Sequence, residues 1–232
     1  MEIEAKFVVP DAETWQRLQA LDQLAGLALS EARIKQVHDT YLDTAGRLIF
    51  KAGYACRRRQ TGGEFLMTLK SLERAQGAIH QREELEVALP GDVPRVERPA
   101  SPARDRMLEW IGAEPLVPLF DLRQTRTVRQ VNRGQVQVAE LSLDDVHMSA
   151  SGAPEAYLEL EVELAPQGTE QELLLLATCL QEEWGLRPEP RSKFERALAL
   201  VPTDISNEQL LRADERDKCA RLAERGDMYS RR

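Results

Sequence analysis

Glu2, Glu4 and Lys6 alternate with Ile3, Ala5 and Phe7 at the start of the chain, and Glu159, Glu161 and Glu163 alternate with Leu158, Leu160, Val162 and Leu164 further along. In a strand, successive side chains point to opposite faces, so each stretch gathers its carboxylates on one face. Same-face neighbours lie roughly 6–7 Å apart, where two carboxylates repel by about 2–3 kcal/mol at an effective dielectric of ~20. A single half-exposed strand often carries such charge on its wet face. Two acidic rows in a chain that also carries basic rows point instead to a bound cation.

The basic rows follow the same period. Arg57 and Arg59 share a face of one stretch, and Lys70 ends another. His80, Arg82, Glu84 and Glu86 alternate against Ile79, Leu85, Val87 and Leu89, and Glu140, Ser142 and Asp144 alternate against Ala139, Leu141 and Leu143. Strands are expected over 1–9, 34–43, 54–60, 64–70, 78–89, 117–131, 135–144 and 156–164. Thr61-Gly62-Gly63 and Asn132-Arg133-Gly134 supply hairpin turns. Helices are expected over 12–25 behind an Asp11 cap, over 103–112, over 169–184 up to Gly185, and over 193–200. A proline-rich connection spans 90–102. Residues 206–225 read as a charged, weakly amphipathic helix whose apolar residues are Leu210, Leu211 and Leu222.

Strands that each carry one charged and one apolar face fit together if the charged faces line a closed barrel and the apolar faces lie outside beneath helices. Burying so many ions costs several kcal/mol each unless they are paired, hydrated or bound to ligands, about the order seen for desolvated ion pairs. The interior is therefore a wet, ligand-binding channel. The fold class is α+β.

Composition sets limits on this reading. The 232 residues are 42% hydrophobic and 30% charged, ordinary for a soluble globular chain. Cys56, Cys179 and Cys219 show neither a disulfide framework nor zinc-ligand spacing, which fits a reducing compartment. The opening Met-Glu-Ile-Glu lacks signal-peptide character, and the Leu173 to Leu176 run is too short to cross a bilayer, so a cytoplasmic location without membrane contact is expected. The net charge of −8 argues against general nucleic-acid binding. A phosphate ligand stays open, because charges gathered in one cavity matter more than their sum. His38 and His80 lack metal-ligand spacing. Trp15, Trp110 and Trp184 read as helix anchors.

In order along the chain, the charged rows resemble the CYTH superfamily, the triphosphate tunnel metalloenzymes, and are most like its bacterial inorganic triphosphatases. The founding Glu-x-Glu-x-Lys motif is present as Glu2, Glu4 and Lys6. After it come Thr40-Tyr41-Leu42-Asp43-Thr44, Arg57-x-Arg59, Thr68-Leu69-Lys70 and Arg82-x-Glu84-x-Glu86. Pro118-Leu119-Phe120 with Arg126, Glu140 with Asp144, Glu159-x-Glu161-x-Glu163 and Ser192-Lys193 complete the series. The resemblance covers about residues 1–200.

It implies an eight-stranded antiparallel β-barrel tunnel over residues 1–202, followed by a charged helical tail over 203–232. It also implies a divalent-metal-dependent triphosphatase that cleaves a terminal phosphoanhydride of inorganic triphosphate or a related organic triphosphate. Glu2, Glu4, Asp144, Glu159 and Glu161 are then the residues for Mg²⁺ or Mn²⁺, hard cations that prefer oxygen ligands. Lys6, Arg57, Arg59, Lys70, Arg82, Arg126 and Lys193 are the phosphate-binding candidates, the arginines as bidentate forks and the lysines as point charges. Lys70, Tyr41 and Asp144 are the catalytic candidates. Tyr41 reads equally as a barrel residue donating one hydrogen bond.

Glu163 falls at the tunnel rim, and Arg58 points away from the tunnel. Arg196 reads as a surface residue. Glu2 follows Met1 directly, without the His-Phe pair that precedes the opening motif in class IV adenylate cyclases, so a cyclase is less expected. The histidine-bearing helical domain that extends many bacterial relatives is not expected in residues 203–232, which hold no histidine. A class IV-type adenylate cyclase and a non-catalytic polyphosphate or nucleotide sensor remain the alternatives. The tail is free to cover a tunnel mouth or to form a homodimer contact.

Overall fold

Both faces of the first strand are buried, and for different reasons. In β1 (Glu2–Val9), Ala5, Phe7 and Val9 are at most 3% exposed in an apolar core, while Glu2, Glu4 and Lys6 are buried on the other face among charges. The computed structural model describes residues 1–73, 75–91, 99–150 and 153–201, which belong to a compact unit spanning Met1–Leu200 apart from the last residue. The expected helix at 206–225 lies outside the described residues, as do positions 92–98 of the proline-rich connection.

The sheet is antiparallel throughout. Its main strands are β1, β4 (Arg33–Asp43), β5 (Tyr54–Thr61), β6 (Glu64–Ser71), β7 (Ile79–Arg82), β8 (Glu84–Leu89), β9 (Val117–Arg133), β10 (Val136–Ala150) and β11 (Ala153–Leu164). The ladder runs β1-β11-β10-β9-β4-β5-β6-β8. The stretch expected as one strand over 78–89 breaks at Glu83. Its first half, β7, pairs with β1, and its second half, β8, pairs with β6. This single change of partner joins the two ends of the curled sheet, and counting β7 and β8 as one strand leaves the eight expected.

Glu83 leaves the ladder because it is used elsewhere. It accepts a hydrogen bond from the Tyr54 hydroxyl, while its backbone N–H donates to Ser71 Oγ at 3.0 Å.

Helices cover the outer, apolar face in two patches. α1 (Ala12–Gln19) is capped by Asp11, whose carboxylate accepts from Thr14 N at 2.7 Å. It ends earlier than its leucine spacing predicts. Ala25 and Gly26 take positive φ of 50° and 78° and turn the chain into the small hairpin β2 (Gln23–Leu24) and β3 (Leu27–Leu29), so Leu24 reaches the core from a strand. α4 (Glu170–Glu182) begins with a capping box formed by Thr169 and Glu172. Together α1 and α4 bury Leu18, Leu173, Leu176 and Leu180 against Phe7, Leu141, Leu143 and Leu160.

The second patch lies behind β5, β6 and β8. There α2 (Leu48–Lys51) and α3 (Pro102–Ile111) pack Ile49, Met107 and Ile111 on Met67 and Leu69. Trp15 and Trp184 anchor the first core and Trp110 the second, as expected. α5 (Lys193–Ala199) closes the described chain after the short β12 (Arg187–Pro188), which pairs with β1. No described helix is long and apolar enough to cross a membrane.

Candidate functional site

The inward faces of the sheet enclose a cavity of about 300 Å³. Glu2, Glu4 and Lys6 reach it from β1, Tyr41 from β4, Arg57 and Arg59 from β5, Lys70 from β6, Arg82 from β7, Arg126 from β9, Glu161 from β11 and Lys193 from α5. The structure thus brings nearly every expected residue to one place. Asp144 and Glu159 differ, since they do not line the cavity and are 0% and 1% exposed behind it.

The Lys193 side chain lies between them and the cavity. Its ammonium donates to Asp144 Oδ2 at 3.0 Å, to Glu159 Oε1 at 2.5 Å and to Glu161 Oε1 at 2.7 Å. A capping box of Ser192 and Glu195 fixes the first turn of α5, and with it the lysine backbone.

Strand register builds the rest of this cluster. Lys35, Arg126, Asp144 and Glu159 are successive partners across β4, β9, β10 and β11. Arg126 grips Asp144 with two bonds of 2.7 and 2.6 Å and reaches Glu161 at 2.6 Å. Lys6, opposite Glu161 in the β1–β11 pair, donates to Glu161 Oε1 at 2.7 Å and stands 3.3 Å from Glu4. Asp144, Glu159 and Glu161 each offer one oxygen within 4.8 Å of the others, a grouping able to hold a metal ion.

How closely cations pair with each carboxylate, set against its burial, divides these groups. Burial raises the pKa of every one of them, but Glu161 accepts from Lys193, Lys6 and Arg126, and these hold it well below the usual range. Asp144, with Arg126 and Lys193, is also lowered against the effect of burial. Glu159 accepts from Lys193 and also feels Lys6, but burial outweighs both and, with repulsion from Glu161, pushes it up to about 7. Glu163 lines the cavity and is exposed as a residue, yet burial of its carboxyl and then repulsion from Glu2 push it up to about 7 as well.

The opposite wall is looser. Arg57 stands 3.6 Å from Asp39 and 3.9 Å from Glu84, while Lys70 donates to both oxygens of Glu2 at 2.7 and 2.9 Å and lies 3.4 Å from Glu84. Arg59 is the exception, forked onto Asp39 with two bonds of 2.8 Å. Asp39 is fully buried, and although burial opposes its charge, Arg57 and Arg59 lower its pKa to about 2.

Tyr41 packs its ring on Phe120 at 5.0 Å and on Phe194 of α5 at 5.4 Å. With Arg57, Lys70 and Arg82 it also borders a narrow recess under Ser192 and Phe194. Arg82 donates to His80 Nδ1, and His80 Nε2 in turn donates to the Glu189 carbonyl at 2.9 Å.

Several site residues were not singled out from the sequence. Asp39 is one; it shares the inward parity of Tyr41, which is its one sequence signal. Lys35 also lines the cavity on the same parity, whereas Glu84, Glu86 and Glu140, named from the sequence in the charged rows but given no role, line it from β8 and β10. Arg58 points outward to Thr40, as expected, and His38 bonds Asp121 at 2.7 Å. Arg196 is more than a surface residue: it lies 3.6 Å over the Tyr157 ring and pairs with Glu189 and Glu155.

Known proteins share this architecture. A putative adenylyl cyclase from Hippeastrum, described as having a dominant triphosphatase activity, matches with a TM-score of 0.68 and 21% identity, over 88% of this chain and 99% of that one. A putative adenylate cyclase from Bacillus halodurans matches with a TM-score of 0.56 and 21% identity, over 84% of this chain and 96% of its own. The PH1819 protein from Pyrococcus horikoshii gives 0.55 and 22%, over 86% and 99%. At these identities the likeness is one of fold. The family model of the CYTH domain matches residues 1–198 of the 232, and the chain belongs to that family.

Proposed function

We propose that residues 1–202 form a divalent-metal-dependent hydrolase that cleaves the terminal phosphoanhydride of inorganic triphosphate or a related organic triphosphate in the cavity. One observation carries this reading. Among the described residues, the buried polar atoms that make no hydrogen bond include Arg57 Nε, Arg82 Nε and Glu4 Oε1 at the cavity and Glu159 Oε2 behind it. Glu4 Oε1 only stands 3.3 Å from Lys6 Nζ, and others, such as Arg104 Nε and the Gln124 amide, lie outside the cavity. Leaving such groups unpaired is costly, so native sites usually complete them with a ligand or water. Orphaned donors on arginines suit a phosphate oxygen, and orphaned carboxylate oxygens suit a hard cation.

The carboxylates present fit Mg²⁺ or Mn²⁺, with Glu4, Asp144, Glu159 and Glu161 as the core of the set and Glu2 beside them. When bound, such an ion screens the polyanion from these carboxylates and activates a water for attack on phosphorus. The remaining work falls to side chains. Arg57 binds phosphate oxygens through its planar fork, while Arg59 and Arg126, whose forks hold Asp39 and Asp144, contribute their remaining N–H donors and fix the chain in line for attack. Lys6, Lys193 and Arg82 offset its charge. Lys70 Nζ, steadied by Glu2, donates a hydrogen bond to the leaving oxygen, and Tyr41, wedged between Phe120 and Phe194, holds the shape of the inner end. Asp144 keeps Arg126 aimed at the substrate.

Purified protein given tripolyphosphate, ATP or thiamine triphosphate, with Mg²⁺, Mn²⁺ or EDTA, tests this directly. Phosphate released from tripolyphosphate and lost with EDTA is the expected result. Pyrophosphate and cyclic AMP from ATP would replace the hydrolase with a cyclase, and binding without turnover would leave a sensor.

A further inference from the structure

The Lys193 ammonium has three N–H donors, and it spends all three on the Asp144–Glu159–Glu161 group, at 3.0, 2.5 and 2.7 Å. Each of the three residues offers an oxygen within 4.8 Å of the others, and the nitrogen, bonded to all three side chains, sits where a cation shared by them would have to sit. A divalent ion bonds carboxylate oxygens at about 2.0–2.6 Å and therefore needs that same point. Two positive centres cannot share it.

The lysine does not exhaust the group. Glu159 is 1% exposed, and its Oε2 finds no donor among the described residues. The lysine also has somewhere to go. Its backbone is pinned by the Ser192 and Glu195 capping box, but its side chain borders the cavity, so rotation about the side-chain bonds alone would carry the ammonium into the chamber.

We propose that Lys193 is the resident counter-ion of the Asp144–Glu159–Glu161 cage, and that its ammonium and a divalent cation occupy the cage in alternation. A polyphosphate in the cavity draws the ammonium onto its own oxygens and so opens the cage to the metal. Cation and substrate then bind with positive coupling through one side chain. The inference rests on the metal-holding role given to these carboxylates above, and it does not need turnover.

Mn²⁺ titrated into the purified full-length protein without any phosphate, with free Mn²⁺ read by electron paramagnetic resonance, tests it. Lys193→Met is expected to bind Mn²⁺ at least about tenfold more tightly than the wild type, the scale on which groups bordering a metal site act. It is also expected to melt lower in EDTA and to regain more of its melting temperature with Mn²⁺ than the wild type gains. Should Lys193→Met fail to fold, Lys193→Gln keeps a donor toward the cage and carries the same comparison. Equal or weaker Mn²⁺ affinity in the folded variant overturns the proposal, as does the absence of Mn²⁺ binding in both proteins. Phosphate release from tripolyphosphate by the wild type reads the hydrolase reading separately. A protein that never turns over but shows the affinity difference would lose that reading and keep the cage.

Discussion

The wall made by β1, β9, β10 and β11 and the wall made by β5, β6 and β8 carry the same kinds of side chain and treat them differently. On the first, Lys6, Asp144, Glu159, Glu161 and Lys193 are all under 9% exposed and bonded at 3.0 Å or less. On the second, Lys70 and Glu84 side chains are 22% and 21% exposed and the Arg57 pairs stretch to 3.6 and 3.9 Å, even though Lys70 holds Glu2 at 2.7 and 2.9 Å and Arg59 holds Asp39 at 2.8 Å. Desolvated charges survive only when compensated, so the first wall is a tightly paired network in which removing one charge without replacing it strands the others. Partly hydrated, loosely paired groups reorient at small cost. The first wall is built to hold a small cation at fixed geometry, and the second to adapt to a flexible anion.

Glu161→Ala should have the largest effect, because three cations share that carboxylate. Breaking a buried pair costs about 3–5 kcal/mol, and urea unfolding should show a loss of that order together with lost turnover. A loss below about 1 kcal/mol, the range of surface pairs, would mean that the first wall is not the tight network described. Glu4→Gln comes next. The swap keeps volume and removes charge, so turnover of tripolyphosphate should fall by about 10²-fold or more, on the scale of lost transition-state electrostatics, with the melting temperature near that of the wild type. An equally active Glu4→Gln protein would remove Glu4 from the metal set.

On the second wall the effect should be milder and of another kind. Arg59→Lys keeps the charge facing Asp39 and loses the fork, so KM should rise several-fold, about 1 kcal/mol of binding, while kcat stays near the wild type. An unchanged KM would take Arg59 off the phosphate list. A fall in kcat alone would make this wall as geometrically demanding as the first.

What could be read from the sequence follows from the range of each signal. The period-two rows at Glu2, Glu4 and Lys6 and at Glu159, Glu161 and Glu163 are local, and so are the Gly62–Gly63 turn and the cap at Asp11. Asp39 is different. Standing between His38 and Thr40 it joins no charged row, and its importance comes from its pairing opposite Arg59 across two strands. The screening of Asp144 and Glu159 by Lys193 was equally hidden, since it depends on contacts 49 and 34 residues apart in sequence. The break at Glu83 follows from Tyr54 and Ser71, outside any alternation.

His80 stands where the two walls meet, on β7 opposite Glu4, and gives the subtlest effect. Its Nε2 donates to the Glu189 carbonyl and its Nδ1 accepts from Arg82, an arrangement open only to the neutral ring. Burial first, then Lys6 and Arg82, lower its pKa from 6.5 to about 4. Between those values the unfolded chain binds the extra proton, so this contribution to stability is whole above 6.5 and is lost as pH falls toward 4. Glu159 and Glu163, raised to about 7 from 4.5, act with the opposite sign, favouring the folded state as pH falls through that window. Because both glutamates persist in His80→Gln, their effect cancels in the difference between the two proteins. Glutamine supplies one donor and one acceptor, so the variant should be only slightly less stable at pH 7. Its deficit in urea midpoint should shrink, or reverse, at pH 5. A deficit that is the same at both pH values would mean that the ring takes up its proton without leaving its partners, and that the seam is as loosely built as the second wall.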